Sequence, residues 1–189
     1  MARADMGQGV QTALPMIVAD ELEADWARVT IVRADAHPTR YGNQMTVGST
    51  SVRRGAWTNL RKAGAAAREM LVAAAATQWG VPTIECQARE GRVHHHPTRR
   101  SLGFGDLAAA AATLPVPNEP RLKTPDQFRL IGTRVPQVDI ASKVTGALGY
   151  GMDVRVPGML YATVVRGAVF GSALEGFDAA TAKKMSGVR

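Results

Sequence analysis

The sequence predicts an α+β chain organised as two units joined by a proline-rich linker. Two stretches of apolar residues recur at helical spacing, and each opens directly after a glycine-containing turn. Short runs rich in β-branched residues, with the alternation of strands, lie between and beyond them. At residues 115–126 the composition turns to proline, and after it glycine and proline are frequent while helical patterns are sparse. The expected layout is a first unit over residues 1–114, a linker over 115–126 and a second unit over 127–189. With 189 residues, 46% of them hydrophobic, the chain can bury the core of one domain and part of another.

Met6-Gly7-Gln8-Gly9-Val10 precedes the first helical pattern, in which Val10, Leu14, Ile17, Val18 and Leu22 recur on one face. Pro15 breaks a helix interior but fits a first turn, where its missing N–H has no partner to lose. The helix is therefore placed from about Gln11–Leu14 to about Glu23. Glycine N–H groups left bare at a helix start suit a phosphate or another anion, and Gln8 adds a donor and an acceptor. A tight turn selected for packing alone leaves the same signature, because a GxG before a helix is common.

Trp26–Arg33 (WARVTIVR) reads as a strand, and Ala34–Val47 as a long loop without periodicity. Gly48-Ser49-Thr50-Ser51 then opens a second helical pattern from Val52, carried by Ala56, Leu60, Ala63, Ala67, Met70, Leu71, Ala74 and Ala75. It stops at Gly80, with Pro82 just beyond. Capping explains one or two of the three hydroxyl residues and not the third. If the intervening strand pairs in a sheet, both helix starts face one edge, around one polar, phosphorylated ligand.

Ile84–His96 reads as a hairpin turning at Glu90-Gly91, and Ser101–Leu114 as a short alanine-rich helix. Consecutive strand residues point to opposite faces, so only His94 and His96 of the histidine triplet can share a ligand. No acidic residue at matching spacing completes a metal site, and a surface strand end is the better reading. In the second, mainly β unit, Met159–Arg166 (MLYATVVR) reads as a strand and Ala179–Lys184 as a helix.

Composition excludes several classes. The net charge of +7 is spread over Arg53-Arg54, Arg61-Lys62, Arg99-Arg100 and Lys183-Lys184, without the interleaved aromatics of a nucleic-acid platform. No apolar run is long enough to span a bilayer; Ala108–Leu114, the nearest approach to one, is far too short. A single cysteine, Cys86, excludes an internal disulfide and cannot by itself build a structural zinc site. No basic-then-apolar export signal opens the sequence.

Three segments together resemble one family. They are Asp5-Met6-Gly7-Gln8-Gly9 with Leu14-Pro15-Met16, and Gly48-Ser49-Thr50-Ser51-Val52-Arg53 with the helix to Trp79. The third is Arg129-Leu130-Ile131-Gly132 with Asp139, Lys143-Val144-Thr145-Gly146, Tyr150-Gly151, Asp153 and Pro157-Gly158-Met159-Leu160-Tyr161. In this order they resemble the molybdopterin-binding large subunit of the molybdenum hydroxylases, the xanthine dehydrogenase and aldehyde oxidase family. The branch of isoquinoline 1-oxidoreductase beta subunits is the most similar, because there the cofactor segment precedes the hammerhead domain.

The resemblance implies a molybdopterin-binding α/β unit followed by a partial α/β hammerhead domain. It implies a molybdenum cofactor, either molybdopterin or its cytosine dinucleotide form. Gly7, Gln8 and Gly9 would contact the pterin, and Ser49, Thr50 and Ser51 its polar or phosphate end. The implied activity is an oxidoreductase that hydroxylates aldehydes or N-heteroaromatic compounds with oxygen from water, and passes electrons to an iron–sulfur partner subunit. The family's general base, a glutamate in a GxGE context, has no counterpart here, since Glu85, Glu90, Glu119 and Glu175 have other surroundings. No catalytic residue is therefore assigned. Only an early part of such a subunit is matched, so the remainder is expected to complete the cleft and the fragment alone to be inactive. A non-catalytic fragment or assembly module of the same fold is the alternative. The compartment stays open: cytoplasmic as written, periplasmic if an export signal belongs to the full-length protein.

Overall fold

A computed structural model describes residues 1–189. The chain divides into two units, Met1–Leu148 and Gly149–Arg189. The first is a mixed helical and antiparallel-sheet structure, as α+β patterning predicts.

The first apolar face forms α1 (Val10–Leu22). It begins earlier than expected because Gly9, at φ 82°, turns the chain directly into the helix. Pro15 consequently sits in the second turn, where it removes one internal hydrogen bond. The second pattern is two helices rather than one. A short α2 (Pro38–Tyr41) first interrupts the long loop, then α3 (Thr50–Arg53) ends at Arg54-Gly55, and α4 (Ala56–Trp79) starts on a new axis segment. Gly80 ends α4 as its sequence signal requires, its N–H returning to the Ala76 and Thr77 carbonyls.

Helices α1 and α4 are the main packed pair, and alanine density explains their closeness. Ala65, Ala66, Ala74, Ala75 and Ala76 are buried, and a Cβ on Gly64 would lie 2.6 Å from the Val18 carbonyl oxygen. Val10, Leu14 and Ile17 meet Val52, Ala56, Trp57 and Leu60 at one end. At the other end Leu71, Ala74 and Ala75 meet Val93, Leu107 and Ala111.

The sheet is one antiparallel meander of β1 (Cys86–Arg89), β2 (Arg92–His95) and β3 (Arg100–Gly103). Glu90 and Gly91 both take left-handed backbone angles, the arrangement that matches a two-residue hairpin to strand twist. Gln87 lies opposite His94, and Val93 opposite Leu102. Ser101 belongs to β3, so the alanine-rich helix is only α5 (Phe104–Ala111), started by the Asp106 carboxylate accepting the Gly103 N–H at 3.0 Å.

Two expected strands do not form. Trp26–Arg28 is a 3-10 turn capped by Asp25, and the chain then runs unpaired to Arg33, because its neighbours are residues 1 and 11 rather than a strand. Residues 159–166 form no strand either, and no strand lies beyond Gly103, so the mainly β reading of the second unit is corrected. Leu160, Tyr161, Val164 and Val165 are exposed, since a β-prone run becomes a strand only when another backbone supplies its hydrogen bonds. The expected helix at 179–184 is a 3-10 turn, Ala182–Lys184.

The proline-rich segment lies along the first unit, held by two buried carboxylates of α1. Asp20 accepts the N–H groups of Leu130 at 3.0 Å and Ile131 at 2.8 Å, together with the Lys123 ammonium at 2.9 Å. Glu21 accepts Arg61 Nε at 2.7 Å, an Arg68 guanidinium nitrogen at 3.3 Å and the Lys123 N–H at 3.1 Å. The short helix α6 (Ile140–Val144) completes the unit, its preceding Val138 N–H bonded to the Thr12 hydroxyl at 3.0 Å.

Candidate functional site

The first glycine turn is internally wired. The Asp5 carboxylate accepts the Gly7 N–H at 2.8 Å through one oxygen and the Gln11 N–H at 2.9 Å through the other. Burial pushes the Asp5 carboxyl up, but the Gln11 and Gly7 N–H groups, the Lys143 ammonium and the Gly9 N–H hold it below the ordinary range. These N–H groups were expected to be bare. A carboxylate from the chain itself now faces them, and the Asp-x-Gly spacing is the Asx-turn signal that could have revealed it.

Gln8 is exposed, its amide donating to the Ala4 carbonyl at 3.0 Å and accepting the Met6 N–H. A Cβ on Gly7 would meet nothing within 4 Å, so that side of the turn is open. A Cβ on Gly9 would meet the Gln137 amide at 3.0 Å. Gln137 in turn accepts from the Lys143 ammonium at 2.9 Å, and Lys143 pairs with Asp139 at 3.0 Å.

At the second turn the hydroxyls differ in state. Thr50 donates to the Val47 carbonyl at 2.6 Å, and Ser51 is buried, reaching the Thr46 hydroxyl only at 3.5 Å. Ser49 is exposed, at φ 59°, and caps nothing with its side chain. Arg53 reaches back to the Gly48 carbonyl at 3.2 Å.

The two turns are brought together without the sheet that the sequence suggested. Helix α1 packs on α3 and the start of α4. The segments entering both turns are laced side by side: Thr46 donates to the Ala4 carbonyl at 3.2 Å, Gln44 to Ala2 at 3.2 Å, and Arg3 to Met45 at 3.0 Å. Arg33 binds the Gln11 amide oxygen at 2.6 Å on the same side. Arg3, Arg33, Gln44 and Thr46 are functional-site neighbours that the sequence does not single out: each is an isolated polar residue outside any motif, and Gln44 and Thr46 lie in the aperiodic loop.

Elsewhere, His95 is buried between the Glu85 carboxylate at 2.8 Å and the Thr98 hydroxyl at 2.7 Å, beside Trp79. His94, His95 and His96 do not converge, and no group of three or more His, Cys, Asp or Glu side chains is placed to hold a metal ion. A groove of about 1100 Å³ between α4, β1 and residues 114–129 has neither turn in its lining. Its Cys86 thiol is pushed up by burial and then by the Glu85 charge, so it is not an activated nucleophile. No helix is long and apolar enough to cross a membrane.

Residues 1–155 match the family model of the molybdopterin cofactor-binding domain. The beta chain of isoquinoline 1-oxidoreductase from Brevundimonas diminuta is 38% identical over 222 residues, covering 97% of this chain and 28% of the relative. A membrane-bound aldehyde dehydrogenase (pyrroloquinoline-quinone) of Gluconacetobacter polyoxogenes is 36% identical, covering 98% of this chain and 24% of that protein. A subunit of the nicotinate dehydrogenase of Pseudomonas putida is 35% identical, over 86% of this chain and 14% of its own length. The chain thus spans less than a third of the curated relatives it matches.

Proposed function

The chain belongs to the molybdopterin cofactor-binding domain family of the molybdenum hydroxylases, and from that membership we propose that it is part of the cofactor-binding subunit of an oxidoreductase that hydroxylates aldehydes or N-heteroaromatic compounds with water-derived oxygen. The observation that carries this reading is the packing of two glycine-turn helix starts against each other, with their lead-in segments laced together. Gly7, Gln8 and Gly9 then bind the pterin, and Ser49, Thr50 and Ser51 its polar or phosphate end.

The donor set fits such a group. The Gln8 amide offers both a donor and an acceptor at the surface, the space beside Gly7 is open, and the Ser49 hydroxyl is exposed. When bound, the molybdenum cofactor supplies the redox chemistry. The residues of this chain bind and orient it. Residues 127–189 are the opening of a hammerhead domain, in which Met159–Arg166 pairs once neighbouring strands are present. The remainder of the molybdenum subunit and an iron–sulfur electron-transfer subunit are the partners, and a small aromatic compound or aldehyde is the substrate.

One observation favours a second reading, an assembly module with structural turns. The Gln8 amide and the Thr50 hydroxyl are already bonded within their own turns. Co-expression with the remainder of the subunit, followed by molybdenum and pterin assay, separates the two. Stoichiometric metal that falls on Gln8→Ala combined with Ser49→Ala supports the cofactor role. A folded complex whose metal content ignores both substitutions assigns the turns to structure alone.

A further inference from the structure

Strand β1 is an open edge of the three-stranded sheet, and the phase of its ladder decides which groups it offers. His96 donates its N–H to the Glu85 carbonyl at 3.1 Å, which sets that phase. Gln87 and Arg89 therefore exchange bonds with His94 and Arg92, and the N–H and carbonyl of Ala88 turn away from β2. Neither finds a partner within the chain, although Ala88 is only 5% exposed. A buried peptide group in that state is costly unless something else bonds it. Ala88 lines the groove between α4, β1 and residues 114–129. The far wall cannot supply the bonds, since Pro115 and Pro117 have no N–H and residues 114–122 form no strand.

The rest of the groove fits one kind of occupant. Met70 and Val72 of α4, with Leu114 and Leu122, make its walls apolar. Of its two carboxylates, Glu23 pairs with Lys123 and Arg129, and Glu69 accepts the Arg121 N–H at 2.7 Å. The Arg121 guanidinium itself has no partner, because Arg121 bonds only through its backbone. Arg89 comes no nearer than 3.7 Å to Glu90, in an exposed pair. A second copy of this chain would bring like charges together here. An extended apolar segment flanked by a carboxylate satisfies backbone, walls and charge at once.

We propose that the groove is the docking site for one extended segment of the remainder of the molybdenum subunit, which adds along β1 as a further strand. It exchanges backbone bonds with Ala88, lays apolar side chains against Met70 and Leu114, and carries an acidic residue to Arg89 or Arg121. The source of the segment rests on the reading above, in which that remainder is a partner. The matched relatives hold ample chain for it, since this one covers at most 28% of each.

The test co-expresses the remainder with the 189-residue chain and follows hydrogen exchange of the Ala88 amide in the free chain and in the complex. Docking is expected to slow that exchange at least about tenfold. Ala88→Pro removes the outward N–H and leaves the β1–β2 bonds in place, so affinity for the remainder is expected to fall at least about tenfold. Arg89→Glu combined with Arg121→Glu keeps the strand and reverses the charge. It is expected to weaken docking as well, and it serves where Ala88→Pro fails to fold. Four results overturn the proposal: two pieces that do not associate, an Ala88 amide that exchanges equally fast in the complex, native affinity in either folded variant, or protection that grows with the concentration of the free chain alone. Molybdenum and pterin are assayed on the same complex. Protection without metal removes the cofactor reading alone, and metal without protection removes this proposal alone.

Discussion

A Cβ at position 64 would press on the carbonyl oxygen of Val18, an atom that α1 cannot displace without loosening its own hydrogen bonds. Gly64→Ala is therefore expected to lower stability by about 1–3 kcal/mol, although alanine is the better helix former. Urea unfolding checks this, and an unchanged midpoint would mean that the two helices can part there. Asp20 governs the acid side. Burial pushes its carboxyl up, yet the Ile131 N–H, the Lys123 ammonium and the Leu130 N–H hold it below the ordinary value of 3.8. A lowered folded pKa means the unfolded chain takes up the proton first. The contribution of Asp20 is thus full above pH 3.8 and is lost as pH falls through the folded value. Stability measured below that pH should fall more steeply in the native chain than in Asp20→Asn, and parallel slopes would remove Asp20 from the account.

Between elements, Glu21 is the common point of α1, α4 and the segment around Lys123. Its side chain is fully buried, so Glu21→Ala strands the Arg61 and Arg68 guanidinium groups and should cost about 3–5 kcal/mol. A thermal shift of only a degree or two would show that water replaces the carboxylate. The same elements show what was legible beforehand. The end of α4 at Gly80 and the hairpin at Glu90-Gly91 depend on local backbone geometry, and local residues announce both. Trp26–Arg33 and Met159–Arg166 have strand composition, but strand formation depends on a partner that no local pattern names. At the site, the two glycine turns were legible as motifs. Their meeting through α1 and α3, and the filling of the first by Asp5, depend on contacts between distant or short polar residues and were not.

For the molecule as a whole, the division after Leu148 sets an order of vulnerability. Arg155, Arg166, Lys183 and Lys184 lie exposed in a unit with almost no regular structure, whereas many basic residues of the first unit are engaged in its packing. Brief trypsin treatment is expected to trim the second unit first and leave a fragment near residues 1–148 with unchanged helical circular dichroism. Early cleavage within residues 56–79 would contradict this. The Asp20 clamp also carries a consequence for biogenesis. It joins α1 to residues 129–131 across 109 to 111 positions of sequence, so the two inward-facing carboxylates of α1 have no complete set of partners until residue 131 has left the ribosome. Helix α1 is thus locked only after residues far downstream of it have emerged, and during translation a nascent chain paused short of that point leaves the Asp20 carboxylate without its N–H partners and α1 easier to open.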